Sequence, residues 1–258
     1  MHRVAGLALV ASCLFRPDPI RGDAALPATD ASPDAGPDAF VSCVPSNGSA
    51  THYVDPALGT DDNQHGGAPG RCAYKTLTFA LGFARATISL APATYSAPAE
   101  TFPILLDNGL SIACNGATLS GVGGVNENLL TVDSSTPMNT LDSCKLDCTA
   151  SATASCLILY GTGTLVLTNS ELDGNAVAVG VVGQGSLNAS GDLFDGFSEA
   201  VYLQNSMAAA SSLVNNMFEN NTVDVTCSAA LASDTGTGNT EKGGGALSCT
   251  QCANCPFP

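Results

Sequence analysis

The strongest constraint on the fold is a short motif that recurs at nearly constant spacing in the second half of the chain. Leu172-Asp173-Gly174-Asn175 recurs as Phe194-Asp195-Gly196-Phe197 and again as Phe218-Glu219-Asn220-Asn221, in steps of 22 and 24 residues. Self-similarity at a period of about 20 to 50 residues is the signature of a stacked repeat architecture. The chain is therefore predicted to form a solenoid, in which each repeat buries its apolar face against the next.

Short apolar segments accompany this motif and indicate the type of solenoid. They span residues 129–132, 156–159, 177–179, 200–203 and 223–225. Gly and Asn residues, which favour turns, lie between these segments, and no helical pattern separates them. The sequence therefore predicts an all-β fold, a right-handed single-stranded parallel β-helix whose coils stack about 4.8 Å apart.

Composition and charge support a solenoid core and exclude one class of partner. The chain has no Trp, few aromatic residues and 27 Gly, so a core of mainly stacked aliphatic side chains is predicted rather than one anchored by large aromatic ones. The formal net charge is −15, with only eight Lys and Arg residues. Nucleic-acid binding needs clustered basic side chains, so we expect no nucleic-acid partner.

The first 13 residues resemble a bacterial export signal. His2 and Arg3 precede a short apolar stretch, residues 4–11, which is well below the length of about 20 residues that spans a bilayer. Val10-Ala11-Ser12-Cys13 resembles a lipobox, which implies lipidation of Cys13 and a membrane partner through the lipid anchor. Leu14 follows the Cys, which implies an outer-membrane or cell-surface lipoprotein; an ordinary cleaved signal would make the protein secreted or periplasmic.

The remaining chain divides into four segments by composition. Residues 14–50 are rich in Pro, Ala and Asp without hydrophobic periodicity, which predicts a disordered tether. Residues 51–86 predict an N-terminal cap with a short helix, because Leu77, Ala80, Leu81 and Ala84 form one apolar stripe. Residues 87–227 are the predicted β-helix, and residues 228–258 are a Gly- and Cys-rich C-terminal tail.

The cysteines predict a disulfide framework. Without Cys13, ten remain: Cys43, Cys72, Cys114, Cys144, Cys148, Cys156, Cys227, Cys249, Cys252 and Cys255. An even number in an exported chain favours disulfide bonds, and we expect pairs within the group at 144–156 and within the C-terminal group. The spacing of the last three also matches iron–sulfur ligation, but the fourth Cys of that pattern is missing, so disulfides are favoured.

The cap and first coils carry a resemblance to a known family. The segments that carry it are Tyr53-Val54-Asp55, Gly59-x-Asp61-x-Asn63, Lys75-Thr76-Leu77, Thr87-Ile88-x-Leu90 and Pro92-Ala93-Thr94-Tyr95. They resemble the N-terminal cap of pectin-lyase-like β-helices, and residues 51–121 as a whole are similar to an exported bacterial family of unknown function on that fold. Ala93 stands where that family usually has Gly. The resemblance implies a fold but no activity, since enzymes and non-enzymes share it.

Acidic residues at equivalent repeat positions are the candidate catalytic groups. Stacking would place neighbours among Asp173, Asp195 and Glu219 about 5 Å apart and alternate members about 10 Å apart. The shorter distance, about 5 Å, is the separation of the two carboxyl groups in a retaining glycoside hydrolase. The alternative is a turn function, because each precedes Gly or Asn. A lyase needs a basic residue to abstract a proton, and the coils offer only Lys145, which we expect in a solvated loop between Cys144 and Cys148.

Two further groups are candidate binding residues. Asp55, Asp61, Asp62 and Asn63 have the oxygen ligands that Ca²⁺ prefers, although such residues also form turns by bonding to the backbone. Calcium is therefore the one cofactor that the sequence suggests. Tyr160 and Tyr202 lie in predicted strands and are candidates for contact with sugar rings.

These observations predict an exported surface lipoprotein whose β-helix binds or displays a ligand without catalysis. A cell-surface or environmental polysaccharide is the expected partner. The alternative prediction is a polysaccharide-active enzyme, either a lyase or a glycoside hydrolase, on the same fold.

Overall fold

Alternation of buried and outward side chains divides the chain into short strands. In Ile104–Leu106 the first and third residues are buried and the middle one is exposed, and Thr164–Thr168 alternates in the same way. A strand places successive side chains on opposite faces, so each strand presents one face to the core. The computed structural model describes residues 42–46, 50–83, 87–107, 109–121, 128–133, 138–150, 155–174, 179–183, 185–204, 210–228, 234–242 and 247–252.

The strands form three sheets, here called faces 1, 2 and 3. Face 1 contains β1 (Thr51–Val54), β2 (Thr87–Leu90), β5 (Ser111–Ala113), β8 (Met138–Asp142), β11 (Thr164–Thr168), β14 (Ser186–Ser190), β17 (Ser212–Val214) and β20 (Thr235–Thr237). Face 2 contains β3 (Thr94–Ser96), β6 (Thr118–Ser120), β9 (Lys145–Asp147), β12 (Glu171–Asp173), β15 (Leu193–Asp195), β18 (Met217–Glu219) and β21 (Thr240–Glu241). Face 3 contains β4 (Ile104–Leu106), β7 (Leu130–Val132), β10 (Leu157–Leu159), β13 (Val179–Gly183), β16 (Glu199–Leu203), β19 (Val223–Cys227) and β22 (Cys249–Thr250).

Every strand pairs in parallel with the equivalent strand of the next coil, so the chain is an all-β parallel β-solenoid. The chain visits face 1, face 2 and face 3 in turn and then repeats the circuit one coil further on. The repeated motif lies in register on face 2, where Leu172 pairs with Phe194 and Phe194 pairs with Phe218. The predicted stacked architecture is thereby confirmed, while its right-handed sense stays a prediction.

The core between the three faces consists of stacked side chains. Leu146, Leu172, Phe194 and Phe218 follow one another along face 2 and are at most 1% exposed. The rings of Phe194 and Phe218 stack with centroids 5.1 Å apart. Like residues stack on like because the coils repeat at the spacing of hydrogen-bonded strands.

A short helix precedes the first complete coil. Helix α1 spans Leu77–Leu81, follows a 3-10 turn at Gly70–Cys72 and begins after Thr76, whose side chain accepts a hydrogen bond from the N–H of Phe79. Leu77 and Ala80 are buried, as the apolar stripe predicts. Ala84 lies outside the described residues, and the function of α1 as a lid on the solenoid stays a prediction.

Parallel pairing extends past both predicted boundaries of the β-helix. Strand β1 pairs with β2 although it belongs to the predicted cap, and β20, β21 and β22 pair with the preceding coil although they follow Cys227. The predicted end at residue 227 is therefore one coil short. The signal was weak because Gly236 occupies the place that Leu213 fills one coil earlier, which leaves little hydrophobic pattern.

Disulfide bonds connect several coils. The described pairs are Cys43–Cys72, Cys114–Cys144, Cys148–Cys156 and Cys227–Cys252, and Cys249 is also disulfide-bonded. The expected pair within the group at 144–156 is confirmed by Cys148–Cys156. Several disulfides are compatible with an extracytoplasmic location, where oxidising conditions preserve them. The signal segment, Cys13 and most of the tether lie outside the described residues.

Candidate functional site

Four acidic residues form a continuous row on face 2, here called the carboxylate row. Asp147, Asp173, Asp195 and Glu219 are in register at the last position of four consecutive strands, β9, β12, β15 and β18. Adjacent members are therefore about 4.8 Å apart along the backbone. The predicted stacking of Asp173, Asp195 and Glu219 is confirmed. Asp147 was not predicted, although Leu146-Asp147 is an earlier copy of Leu172-Asp173.

Two members of the row are held by neighbouring polar groups of their own coil or the adjacent one. Oδ1 of Asp147 accepts from the N–H of Thr149 at 3.1 Å and from its Oγ1 at 2.6 Å, and Oδ2 accepts from Oγ of Ser120 at 2.8 Å. Burial favours the neutral acid, but these hydrogen bonds outweigh it and lower the pKa of Asp147. Oδ1 of Asp195 accepts from Nδ2 of Asn220 at 2.8 Å.

The other two members differ sharply from each other. Glu219 forms an ion pair with Lys242, which continues the row one coil further. The backbone carbonyl of Asp173 accepts from the N–H of Cys148, but its side chain has no hydrogen-bond partner among the described residues. Its pKa is raised, first by partial burial and then by the negative charges of Glu171, Asp195 and Asp147. Asp173 is therefore the member whose proton is most easily retained.

Lys145 lies in a strand rather than in the predicted loop. It is the first residue of β9, because the sequence Lys-Leu-Asp continues the outward–inward alternation of face 2. Its Nζ lies 2.8 Å from Oε2 of Glu171, the residue in register with it on β12. The hydrogen bond to Glu171, together with the negative charge of that residue, raises the pKa of Lys145, so this amine is poorly suited to accept a proton at neutral pH.

The candidate calcium ligands bond to nearby backbone groups. Oδ1 of Asp55 accepts from the N–H groups of Ala57 and Leu58, which is the Asx-turn arrangement. Oδ1 of Asp61 accepts from the N–H groups of Lys75 and Thr76, immediately before α1, and its Oδ2 accepts from Oγ1 of Thr76.

Asp62 and Asn63 continue the same loop. Oδ1 of Asp62 contacts the N–H of Gln64 and Nδ1 of His65, and Asn63 lies beside it in an exposed turn. Within the described residues, no group of three or more His, Cys, Asp or Glu side chains is arranged to hold a metal ion. Calcium binding at these four residues stays a prediction.

The two candidate tyrosines do not form a common surface. Tyr202 is half-buried on β16 of face 3 and pairs with Thr226 on β19. Tyr160 follows β10, is 46% exposed and belongs to the turn toward face 1. The tyrosines therefore lie in different rows and different coils, so one sugar ring cannot stack on both.

A buried row of polar residues between faces 1 and 2 was not predicted. We call Ser170, Asp192, Asn216 and Asn239 the polar ladder; each is the second residue of a two-residue turn and is at most 6% exposed. The first residue of these turns has a positive φ, at Asn169, Gly191, Asn215 and Gly238. Asn tolerates this left-handed conformation, so Asn169 and Asn215 suit these turns, but the sequence does not reveal that the residue after each is buried.

Hydrogen bonds connect the polar ladder from coil to coil. The N–H of Ser170 donates to Oδ1 of Asp192 at 2.7 Å, and the N–H of Asp192 donates to Oδ1 of Asn216 at 2.9 Å. The N–H of Asn216 donates to Oδ1 of Asn239 at 2.9 Å. Burial raises the pKa of Asp192 to about 7. The ladder satisfies turn N–H groups that would otherwise be buried without partners.

Comparison with known proteins leaves the solenoid without an assigned family. No protein-family model, curated protein or solved structure matches the chain. The similarity of the cap to pectin-lyase-like β-helices stays a resemblance. Across the described residues, none of the helices combines the length and hydrophobicity that a membrane-spanning helix needs.

Proposed function

We propose that this protein is an exported, lipid-anchored β-solenoid that binds or displays a ligand without catalysis. The observation that carries the proposal is the engagement of the carboxylate row. Asp147, Asp195 and Glu219 each hold a structural hydrogen bond or an ion pair. A hydrolase needs two carboxyl groups free to act on substrate, and this row offers one without a described partner, Asp173.

The location is supported by two independent features of the chain. The disulfide bonds Cys114–Cys144 and Cys227–Cys252, which join adjacent coils, suit an oxidising compartment. The lipobox-like segment ending at Cys13 supplies a route to a membrane, with the acidic tether as the spacer between lipid and solenoid. An anchored solenoid would present its three faces to the surroundings of the cell.

The anchor is tested by expressing the full chain in a Gram-negative host supplied with an alkyne analogue of palmitate. We expect the analogue to label the wild-type protein and not the Cys13→Ser variant. A Cys43→Ser variant is the matched control and should still be labelled, because Cys43 lies outside the lipobox. Wild-type protein that reaches the culture medium unlabelled would contradict the anchor and favour an ordinary cleaved signal.

The alternative function is hydrolysis of a polysaccharide, and one observation favours it. Asp173 has a raised pKa and lies in register with Asp195, about 5 Å away, so the pair resembles the acid and the nucleophile of a retaining glycoside hydrolase. In that role Asp173 would give its proton to the leaving oxygen while Asp195 attacks the sugar. The lyase alternative has less support because the amine of Lys145 is paired with Glu171.

The two functions are separated by release of reducing ends from a panel of neutral and acidic polysaccharides, with and without Ca²⁺. We expect no release by the wild-type protein together with measurable co-sedimentation on at least one insoluble polysaccharide. Release that is lost in Asp173→Asn and kept in Asp147→Asn would establish the hydrolase instead. Asp147 is the matched control because it belongs to the same row but is held by Thr149 and Ser120.

A further inference from the structure

A cleft of about 320 Å³ opens at the first coils of the solenoid, and no member of the carboxylate row lines it. Its walls include Tyr53 and Asp55 at the end of β1, Ser89 at the end of β2 and Asn115 in the turn after β5. Small-molecule sites usually measure about 300 to 1,000 Å³. This cleft lies at the lower end of that range, so it has room for a ligand the size of one sugar ring.

Tyr53 supplies an aromatic wall that neighbouring coils leave uncovered. Its side chain points outward from face 1 and is half-buried. Along the same row, Tyr53 pairs with Ser89 and Ser89 pairs with Ala113, so the next coils carry small side chains there. An aromatic ring beside free space is a suitable surface for the C–H face of a sugar ring.

Two residues that line the cleft, Asp55 and Asn115, are oriented by the protein and each has an oxygen atom without a described partner. Oδ1 of Asp55 is fixed by its turn, and Oδ2 has no hydrogen-bond donor among the described residues. Nδ2 of Asn115 donates to the carbonyl of Leu90 at 2.9 Å and to Oγ of Ser89 at 3.1 Å, which fixes the amide plane. Oδ1 of Asn115 has no partner among the described residues. Both oxygens are therefore ready acceptors for sugar hydroxyl groups.

Disulfide bonds hold both sides of the cleft in place. Gly70 lines one side, and the 3-10 turn that contains it ends at Cys72, which is bonded to Cys43. On the other side, Asn115 directly follows Cys114, which is bonded to Cys144. A ligand entering such a cleft orders little of the protein, so even a few contacts can yield measurable affinity.

Charge restricts the ligand class. The described residues that line the cleft include the carboxylate of Asp55 and no basic side chain, on a chain with a formal charge of −15. Acidic sugars would therefore be repelled. A single carboxylate and an amide are also too few for calcium, which takes about six to eight oxygen ligands.

We propose that this cleft binds one ring of a neutral sugar, with the ring packed on Tyr53 and its hydroxyl groups donating to Asp55 and Asn115. The inference rests on the proposed binding function and gives that function a site and a ligand class. It places recognition at the first coils rather than at Tyr160 and Tyr202, the aromatic residues that the sequence alone favours.

The absence of Trp from the chain permits a sharp test. Full-length Tyr53→Trp places a single indole in the cleft, and Tyr160→Trp places one on an exposed turn as the matched control. Both are titrated with methyl glycosides of glucose, galactose, mannose and N-acetylglucosamine, and with galacturonic acid, to about 10 mM because a one-ring contact is weak. We expect a saturable emission change for at least one neutral glycoside in Tyr53→Trp and none in Tyr160→Trp.

Affinity of unlabelled protein for the same glycosides is then measured by saturation-transfer NMR. Tyr53→Ala should weaken binding about tenfold, while Tyr160→Ala should leave it unchanged. Tyr53→Phe keeps the aromatic ring and Asp55→Asn keeps the Asx turn, so both variants should fold. Each should weaken binding less than Tyr53→Ala does.

Three results would overturn the inference. The first is that no neutral glycoside binds to the wild-type protein. The second is that binding depends on Tyr160 rather than Tyr53. The third is that galacturonic acid binds as tightly as the neutral glycosides. Each of them leaves the proposed non-catalytic function standing. That function fails by a different readout, the release of reducing ends, which does not depend on the cleft.

Discussion

The backbone N–H of Ser170 donates a 2.7 Å hydrogen bond to Oδ1 of Asp192, a residue that is 1% exposed and whose Oδ2 has no partner among the described residues. In the next two coils the equivalent side chains are Asn216 and Asn239, whose Nδ2 groups donate to the carbonyls of Ala189 and Leu213. Leu167 pairs with Ala189, and Ala189 pairs with Leu213. The carbonyl at the equivalent position for the side chain of Asp192 is therefore that of Leu167. Asp192 therefore has a carboxyl oxygen at the position where Asn216 and Asn239 have an amide donor. Only the protonated form of Asp192 can donate a hydrogen bond from that position.

The first prediction is that Asp192→Asn stabilises the protein at neutral pH. The pKa of Asp192 is raised from 3.8 to about 7 by burial, so the folded state binds the proton more tightly than the unfolded state. This group's contribution is therefore most favourable below pH 4, falls as pH rises toward 7 and is constant above that. The difference across this window is up to about 4 kcal/mol.

Urea unfolding of the non-reduced protein at several pH values between 4 and 8 checks this prediction. We expect the free energy of unfolding of Asp192→Asn to lose the downward slope that the wild type shows across this window. Asp195→Asn is the matched control, because Asp195 lies outward on face 2 and bonds to Asn220. A wild-type slope that survives in Asp192→Asn would show that another group is responsible.

The second prediction concerns the ladder amide at Asn216. Asn216→Ala removes the acceptor of the Asp192 N–H and one donor to the Ala189 carbonyl, so two buried backbone groups each lose a partner. Each such group costs about 1 to 3 kcal/mol, so we expect a loss of about 2 to 4 kcal/mol in the free energy of unfolding. Asn188→Ala, at an outward position of β14, should change it by less than about 0.5 kcal/mol.

Face 2 and face 3 were largely predictable from the sequence, and face 1 was not. The strands of face 3, such as Leu157–Leu159, are apolar runs, and face 2 carries the Leu-Asp and Phe-Asp copies that reveal the period. The face 1 strand Ser186–Ser190 has three polar residues, of which Ser186 is buried, and its only apolar residues are Leu187 and Ala189. Such segments look like loops because polar residues outnumber apolar ones.

The polar ladder escaped prediction for a related physical reason. Ser170 and Asn216 follow turn asparagines, and polar residues in a turn are normally solvated. Stacking of coils buries them instead, and each oxygen then accepts from a turn N–H of the preceding coil. The cleft at Tyr53 was equally hidden, since Tyr53, Ser89 and Asn115 are 26 to 62 residues apart along the chain and meet only through the register of β1, β2 and β5.

The third prediction ranks two disulfide bonds by the length of chain that they close. Cys114 and Cys144 are 30 residues apart, whereas Cys148 and Cys156 are 8 apart. Because a longer loop restricts the unfolded chain more, replacing the first pair by Ala should cost about 1 kcal/mol more than replacing the second. Urea unfolding of the two double variants measures this, and equal losses would contradict the loop-entropy account.

The last prediction concerns Glu100, which is 4% exposed and binds the first turn of α1 from the loop after β3. Its Oε1 accepts from the N–H of Leu77, and its Oε2 accepts from the N–H and Oγ1 of Thr78. A carboxylate there bonds to amides that have no partner within a helix and also faces the positive end of the helix dipole.

We expect Glu100→Ala to cost about 2 to 4 kcal/mol in the free energy of unfolding, since it leaves buried donors without an acceptor. Hydrogen exchange should accelerate at the amides of Leu77 and Thr78 in this variant. It should stay unchanged at Ile112 on β5, in the interior of face 1. Asp107→Ala is the matched control, since Asp107 is another acidic loop residue but has no described hydrogen-bond partner. Uniform acceleration across α1 and β5 would mean that Glu100 stabilises the whole solenoid rather than the helix alone.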